Sequence, residues 1–588
     1  NNIALHNHTS ALPPYGRAFL RIIGFVSYIC SGPLPIAPTS GERAIFNHST
    51  HSGSMPQLTG NIVDLIRREI YPGTVTIADG RIARIDRFGN TPADDSRHNG
   101  SLPFLLPGFI DSHVHIESSM LSPALYGHTA LGHGTVAVVA DPHEIANVCG
   151  TDGIRYMVEQ ARRTPLKIHY TVPSCVPATP FETSGATLDS RTVEELLESG
   201  VFVALGEMMN YPGVLGGDDQ CIRKIEAARR RGIPVDGHAP LLEGADLRRY
   251  IGTGISTDHE SCSLREAREK IDAGMMIQIR EGSQSREFDT LIPLLGYRPD
   301  RVMLCTDDLK ASGLSRGHIN RLVSRAVALG YDLFDVLAAA TLNPIRHYRL
   351  KVGLLQPGDP ADLICCPDLI HFTPSQVWIE GKRVDTLPAP GTDRTVNHFL
   401  AEPITTGIIA TSSAGNELLR VIRPEEGTLI TGEELIPAGE KGRYQKMIVL
   451  NRYAPNAPAA IGYVSGFNLQ DGAFGSTIAH DSHNLIVTGS SDELIVQAAN
   501  RLIAMQGGIV CCDRDTTTEM PLPVGGLMSD ADLGTVIRQY DRTERHIHAL
   551  GCPFSTPVMQ LAFLALPVIP SLRLTDRGLF DATRFEFV

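Results

Sequence analysis

The chain has 588 residues, of which 42% are hydrophobic, 20% charged and 6% aromatic, a globular mixture long enough for roughly three or four domains. Lysine and arginine number 52 against 65 acidic residues, so the formal net charge is −13, and no basic run appears. That balance excludes a nucleic-acid platform, and the apolar content excludes a disordered chain. Eleven cysteines, an odd number without CxxC spacing, argue against a structural zinc knuckle and for buried thiols in a reducing, cytoplasmic setting.

Residues 1–54 carry little periodicity. Their apolar stretch from Phe19 to Cys30 is interrupted by Arg21 and is shorter than the about 20 residues a membrane-spanning helix needs. A signal peptide with Arg17 and Arg21 as its basic end would imply export, which the cysteine count does not support. The expectation is an N-terminal extension, with the folded protein starting near Met55.

From Val75 to Ile85 two alternating strands flank Asp79-Gly80, a hairpin pattern. Matching β segments recur far downstream at 361–364 and 377–384. A small β-sandwich built from both flanks, 55–105 plus 346–388, is therefore expected. Between them, short apolar runs end near His115, Asp141, Val172, Glu207, His238, His259, Arg280 and Asp307, with about 20 to 35 residues from one to the next. Amphipathic stretches such as 218–231 and 264–273 lie between the runs. The pattern is α/β and predicts a (β/α)₈ barrel over 106–345. A doubly wound sheet would need a Gly-rich phosphate turn after an early strand, and none is present. A turn-rich linker follows at 388–391, then a C-terminal α+β domain over 396–588. Its apolar stretch 558–570 contains prolines and reads as core or interface, not as a membrane anchor.

His113 and His115 are two apart on one strand and so share a face. Glu207, His238, His259 and Asp307 each follow an apolar run. Six such groups at strand ends would be costly to bury without a common cation. Four imidazoles and two carboxylates suffice for two divalent ions bridged by Glu207, a pair able to generate hydroxide near neutral pH. By alternation Glu117 shares the face of the two histidines. His143 and Glu144 follow the second strand, and Arg280, Glu281 and Ser283 follow the seventh, positions suited to substrate contact. His115-Ile-Glu117 mimics the HxE of zinc nucleobase deaminases, but no PCxxC follows, so that fold is rejected. His480 and His483 in the last domain are a second candidate cluster, able to bind metal, cap a turn or cover a neighbouring site.

The motifs PGFIDSHVHIESSM (107–120), DPHEIANV (141–148), PSCVP (173–177), LGEMMNYPGV (205–214), DGHAP (236–240), DHES (258–261), IREGS (279–283) and CTDD (305–308) resemble the bacterial adenine deaminases of the amidohydrolase superfamily. So do AHDSHN (479–484), LPVGGLMS (522–529), LPVIP (566–570) and GLFD (578–581), and the resemblance runs from about residue 56 to the end. It implies hydrolytic deamination of adenine to hypoxanthine and ammonia in purine salvage, by a hydroxide held between two ions of manganese or iron, with zinc a further choice. His113, His115 and Asp307 would bind one ion, His238 and His259 the other, with Glu207 in the bridging place and Asp307 moving the proton. Glu117, His143, Glu144, Arg280, Glu281 and Ser283 would contact adenine. A homodimer or larger homo-oligomer is implied, with no nucleic-acid or membrane partner. Arg316 before Gly317-His318-Ile319 stands where the family has an acidic residue. The alternatives are a sibling acting on another purine or a cyclic amide, a metal-binding scaffold without catalysis, and, with iron bound, a redox enzyme.

Overall fold

A computed structural model describes residues 55–88, 102–384, 395–411 and 418–588; the expected extension 1–54 and linker 388–391 fall outside these. The Asp79-Gly80 hairpin forms between strands Glu69–Ala78 and Arg81–Arg87. Both turn residues take positive φ, 51° and 76°, as a tight primed turn requires.

The two flanks meet in one sheet that folds back on itself: Val75, Ile77 and Ile82 share an apolar core with Leu363 and Cys365, and the Ala361 amide donates to the Gly80 carbonyl. Strand Gln57–Asp64 pairs in parallel with Phe104–Pro107, which pairs antiparallel with Leu363–Cys366. That edge-to-edge join yields a single seven-stranded sheet from both ends of the central region.

The central region holds eight short parallel strands: Phe109–Val114, Thr135–Ala140, Lys167–Tyr170, Leu205–Met208, Val235–Gly237, Thr257–Asp258, Met276–Arg280 and Val302–Cys305. They pair in chain order within three short sheets. Main-chain bonds carry the order across the gaps, as when the Gly206 amide donates to Val172 and the Ser256 amide to Val235. The ring closes where the Asp307 amide donates to the His113 carbonyl at 3.0 Å. Helices lie between the strands, and their ends follow local chemistry. Asp218 caps Asp219–Arg230 by accepting from the Cys221 amide, and Ser263 caps Leu264–Asp272. Residues of the first two strands, including Ile110 and the run Val136–Ala140, are fully or almost fully buried. Side chains at the strands' C-terminal ends therefore start from a rigid base.

The C-terminal region builds an eight-stranded sheet and a three-stranded one, with helices Asp492–Met505 and Leu533–Ala549. Its apolar core is continuous with that of the strand ring: Val138 and Ile145 belong to the same cluster as Phe563, Leu566 and Ile569. Polar contacts add to this join. Asn484 donates to the Thr183 carbonyl at 2.8 Å, and the Ser529 amide donates to the Met120 carbonyl at 2.9 Å. Among the described residues, no helix is long and apolar enough to cross a membrane.

Candidate active site

His113, His115, Glu207, His238, His259 and Asp307 converge at one end of the ring, each 5% exposed or less. Each stands at or just past the C-terminal end of a strand, which is why distant chain positions meet there. Glu207 lies between two pairs of imidazoles, and its two oxygens face different pairs. Oε1 is 3.1 Å from His115 Nε2 and 3.7 Å from His113 Nε2. Oε2 is 2.5 Å from His238 Nδ1 and 3.2 Å from His259 Nε2. Asp307 Oδ1 completes the first group, 3.2 Å from His115 Nε2 and 3.5 Å from His113 Nε2.

These spacings fit divalent cations. His113 Nε2 is buried without a hydrogen-bond partner, although two carboxylate oxygens lie just beyond bonding range. Donors bound at about 2.0–2.2 Å to one ion stand roughly 3–3.6 Å apart, as do four of the six separations here; His113 Nε2 is slightly farther from Glu207, and His238 Nδ1 is in direct hydrogen-bond contact with it. His113, His115 and Asp307 form one set able to hold a metal, and His113, Glu207 and His259 another.

The surrounding groups fix these side chains. The Asp141 carbonyl lies 3.1 Å from His115 Nδ1, which turns His115 Nε2 toward the centre. Asp141 Oδ2 accepts the Glu207 amide at 3.0 Å. Asp111 accepts from the Thr306 amide at 3.0 Å and lies 3.0 Å from His318 Nε2, so the RGHI histidine braces the strands beneath Asp307. Burial pushes the Glu207 carboxyl up, but the imidazoles of His259 and His238 outweigh it and hold it well below the usual range. Asp307 is likewise depressed: burial opposes, while His113, His115 and the Arg280 charge prevail.

Arg280 and Asp307 are ion-paired at 3.0 Å, and Arg280 also holds Glu260 through two nitrogens and Glu287 at 2.8 Å. Of the six residues expected to contact substrate, His143, Glu144 and Arg280 line the cavity over the donor set. The other three are not in its lining. Glu117 sits on the 3-10 turn Ile116–Ser119, beyond the strand's end, so alternation no longer directs it; it accepts from the Ile145 amide at 3.2 Å. Glu281 follows inward-facing Arg280 and points away, paired with Arg325 at 2.6 Å. Ser283 accepts from the Lys310 amide at 2.9 Å.

The cavity also takes in residues that sequence reasoning missed. Met209, Glu260 and Asp308 come from the ring's loops; Leu429, Asp481, Phe563, Leu566 and Ile569 come from the C-terminal region. Asp308 enters because Asp307 has φ 54°, a left-handed turn that breaks the strand's alternation. His480 and His483 both reach Glu144, the former at 2.9 Å, so the second histidine cluster belongs to this same site. The resulting cavity has a charged floor and a roof whose apolar part is Leu429, Phe563, Leu566 and Ile569, beside His480 and Asp481.

Family models for the amidohydrolase family and for the adenine deaminase C-terminal domain match residues 104–384 and 425–586. An adenine deaminase of Salinibacter ruber is 45% identical over 545 residues, covering 90% of this chain and 98% of that protein. One from Methanosarcina mazei is 44% identical over 559 residues, covering 91% and 99%. The chain belongs to the adenine deaminase family. The family's C-terminal domain thus coincides with the region that supplies the cavity's roof, and the amidohydrolase match spans all six converging donors.

Proposed function

We propose that this protein hydrolyses adenine to hypoxanthine and ammonia, on a (β/α)₈ metal-dependent hydrolase barrel with a binuclear centre. His113, His115 and Asp307 would hold one divalent ion, His238 and His259 the other, with Glu207 shared; manganese or iron suits such nitrogen and oxygen donors, as does zinc. The observation that carries this reading is the division of Glu207, one oxygen to each histidine pair. When bound, such ions lower the pKa of water and polarise the group under attack.

The chain's own residues account for the remaining needs of the reaction. Water must add to C6 of the purine, the C6–N bond must break, and the two protons given up by water must reach the ring N1 and the departing amine. Asp307 is suited to that transfer: Arg280 anchors Oδ2, leaving Oδ1 toward the centre. His143 and Glu144 stand beside the centre, suited to the purine's polar edge, with Glu144 fixed by His480 and His483. Leu429, Phe563, Leu566 and Ile569 give the flat ring an apolar face and exclude bulk water.

The test is adenine conversion by metal-stripped protein before and after adding manganese, followed by ultraviolet absorbance and ammonia release. Hypoxanthine should form only after the addition. Two bound ions without conversion would discard adenine as substrate, and failure to bind metal would discard the centre itself.

A further inference from the structure

The apolar roof poses a physical problem. Its side chains come from two segments about 140 residues apart, Leu429 in one and Phe563, Leu566 and Ile569 in the other. Neither segment is a regular strand or a long helix at these positions: Phe563 is in a single 3-10 turn, and the others are in loops. Such segments do not hold a wall in register by their own main-chain ladder. Some other group must do it.

That group is found behind the roof. Arg573, on strand Leu572–Thr575, is completely buried and is among the largest fully buried side chains of the described residues. Among the described residues its guanidinium meets no carboxylate. Nε donates to the Ile569 carbonyl at 2.8 Å, Nη1 to Phe563 at 3.3 Å, and Nη2 to Leu429 at 2.6 Å and to Pro570 at 2.7 Å. Three of these four carbonyls belong to residues whose side chains line the cavity. The fourth roof residue is tied in through the backbone, since the Leu566 amide donates to the same Phe563 carbonyl. One planar fork therefore holds both segments, without itself lining the cavity.

Retention of an uncompensated buried cation needs a reason, because a buried arginine ordinarily finds a carboxylate. Burial alone pushes the Arg573 guanidinium down to about 9. General attachment of the Leu429 loop does not require it. Thr431 already fastens that loop to the strand, its Oγ1 donating to the Leu572 carbonyl and accepting from the Leu572 amide. What Arg573 adds is the relative placement of the cavity-lining residues themselves.

We propose that Arg573 is a positioning residue for substrate, binding the backbone of two segments into one apolar wall against which the flat ring of the base packs. It does not touch the reacting atoms. The inference rests on the reading of the cavity as an adenine site. A wall that contacts the ring equally in the ground and transition states changes KM and leaves kcat largely alone.

The test compares the parent with Arg573→Lys and Arg573→Ala in the metal-loaded full chain, measuring bound metal, kcat and KM for adenine. Arg573→Lys keeps the charge but lacks the fork, and should raise KM roughly tenfold or more with metal content unchanged and kcat within about threefold. Added guanidinium ion should recover part of the KM loss in Arg573→Ala, an effect that mere loosening of the fold would not give. Parent-like KM in both variants, or an equal fall in kcat and metal content without a KM change, would overturn the proposal. Should neither variant fold, amide exchange on the parent decides the matter: adenine must slow exchange in 429–431 and 563–570 together, and no change there overturns it. A parent that fails to convert adenine would instead count against the functional reading.

Discussion

Replacing Asp307 with asparagine separates catalysis from assembly of the site. The substitution keeps side-chain volume and one oxygen, but removes the negative charge and the ability to take up a proton. Its structural cost can be worked from the contacts. Arg280 loses one of three carboxylate partners and keeps Glu260 and Glu287. The loss of one charge-assisted hydrogen bond costs about 1.5–3 kcal/mol, which a chain with so large a buried core should tolerate. The first histidine group still has His113, His115 and Glu207 within reach of a common ion. A general base is worth about 10²–10⁴ in rate, or roughly 3–5 kcal/mol of barrier. Asp307→Asn should therefore fold, take up metal when manganese is in excess, and turn over adenine at least about a hundredfold more slowly. The assay is the initial rate of ammonia release, with bound metal measured by mass spectrometry on the same sample. A kcat within tenfold of the parent at full metal occupancy would refute the assignment of the proton to Asp307.

Two further expectations follow from groups away from the chemistry. At Gly206 a Cβ would lie 2.2 Å from Asp141 Oδ2, the atom that accepts the Glu207 amide, so Gly206→Ala should displace Glu207 and weaken manganese binding at least about tenfold; unchanged affinity by calorimetric titration would contradict this. His169, on the third ring strand, has its pKa lowered to about 4 by burial first and then by the Lys167 and Lys351 charges. A folded-state value below the unfolded one near 6.5 means stability is present above pH 6.5 and is lost as pH falls toward 4, by about 2–3 kcal/mol from this group. His169→Gln should flatten that loss, read as urea midpoints at pH 7.5 and 4.5, and equal acid sensitivity in both proteins would remove His169 as a cause.

The six converging donors were legible because each follows an apolar run at a strand's C-terminal end, where parallel strands in one ring must bring their ends together. No such rule reaches the roof. Leu429, Phe563 and Ile569 read in sequence as ordinary core residues, and only the packing of the C-terminal region onto the ring turns them toward the donor set. Alternation failed at two particular places. It selected Glu117, because the strand gives way to a 3-10 turn after Val114, and it missed Asp308, because the left-handed backbone at Asp307 turns two successive carboxylates inward. Both failures sit at the mouth of the site, where the chain departs from strand geometry to build it. The sheet from the two flanks shows a related limit. Its strands were readable from period-two patterning, but pairing Gln57–Asp64 with Phe104–Pro107 in parallel depends on contacts that local pattern does not encode. Arg573 lies at the far end of this scale. Its flanking residues Leu572 and Leu574 mark a buried strand, where an arginine at the intervening position would be assigned to the outer face. The four carbonyls that accept from it come from chain positions that only the finished fold assembles.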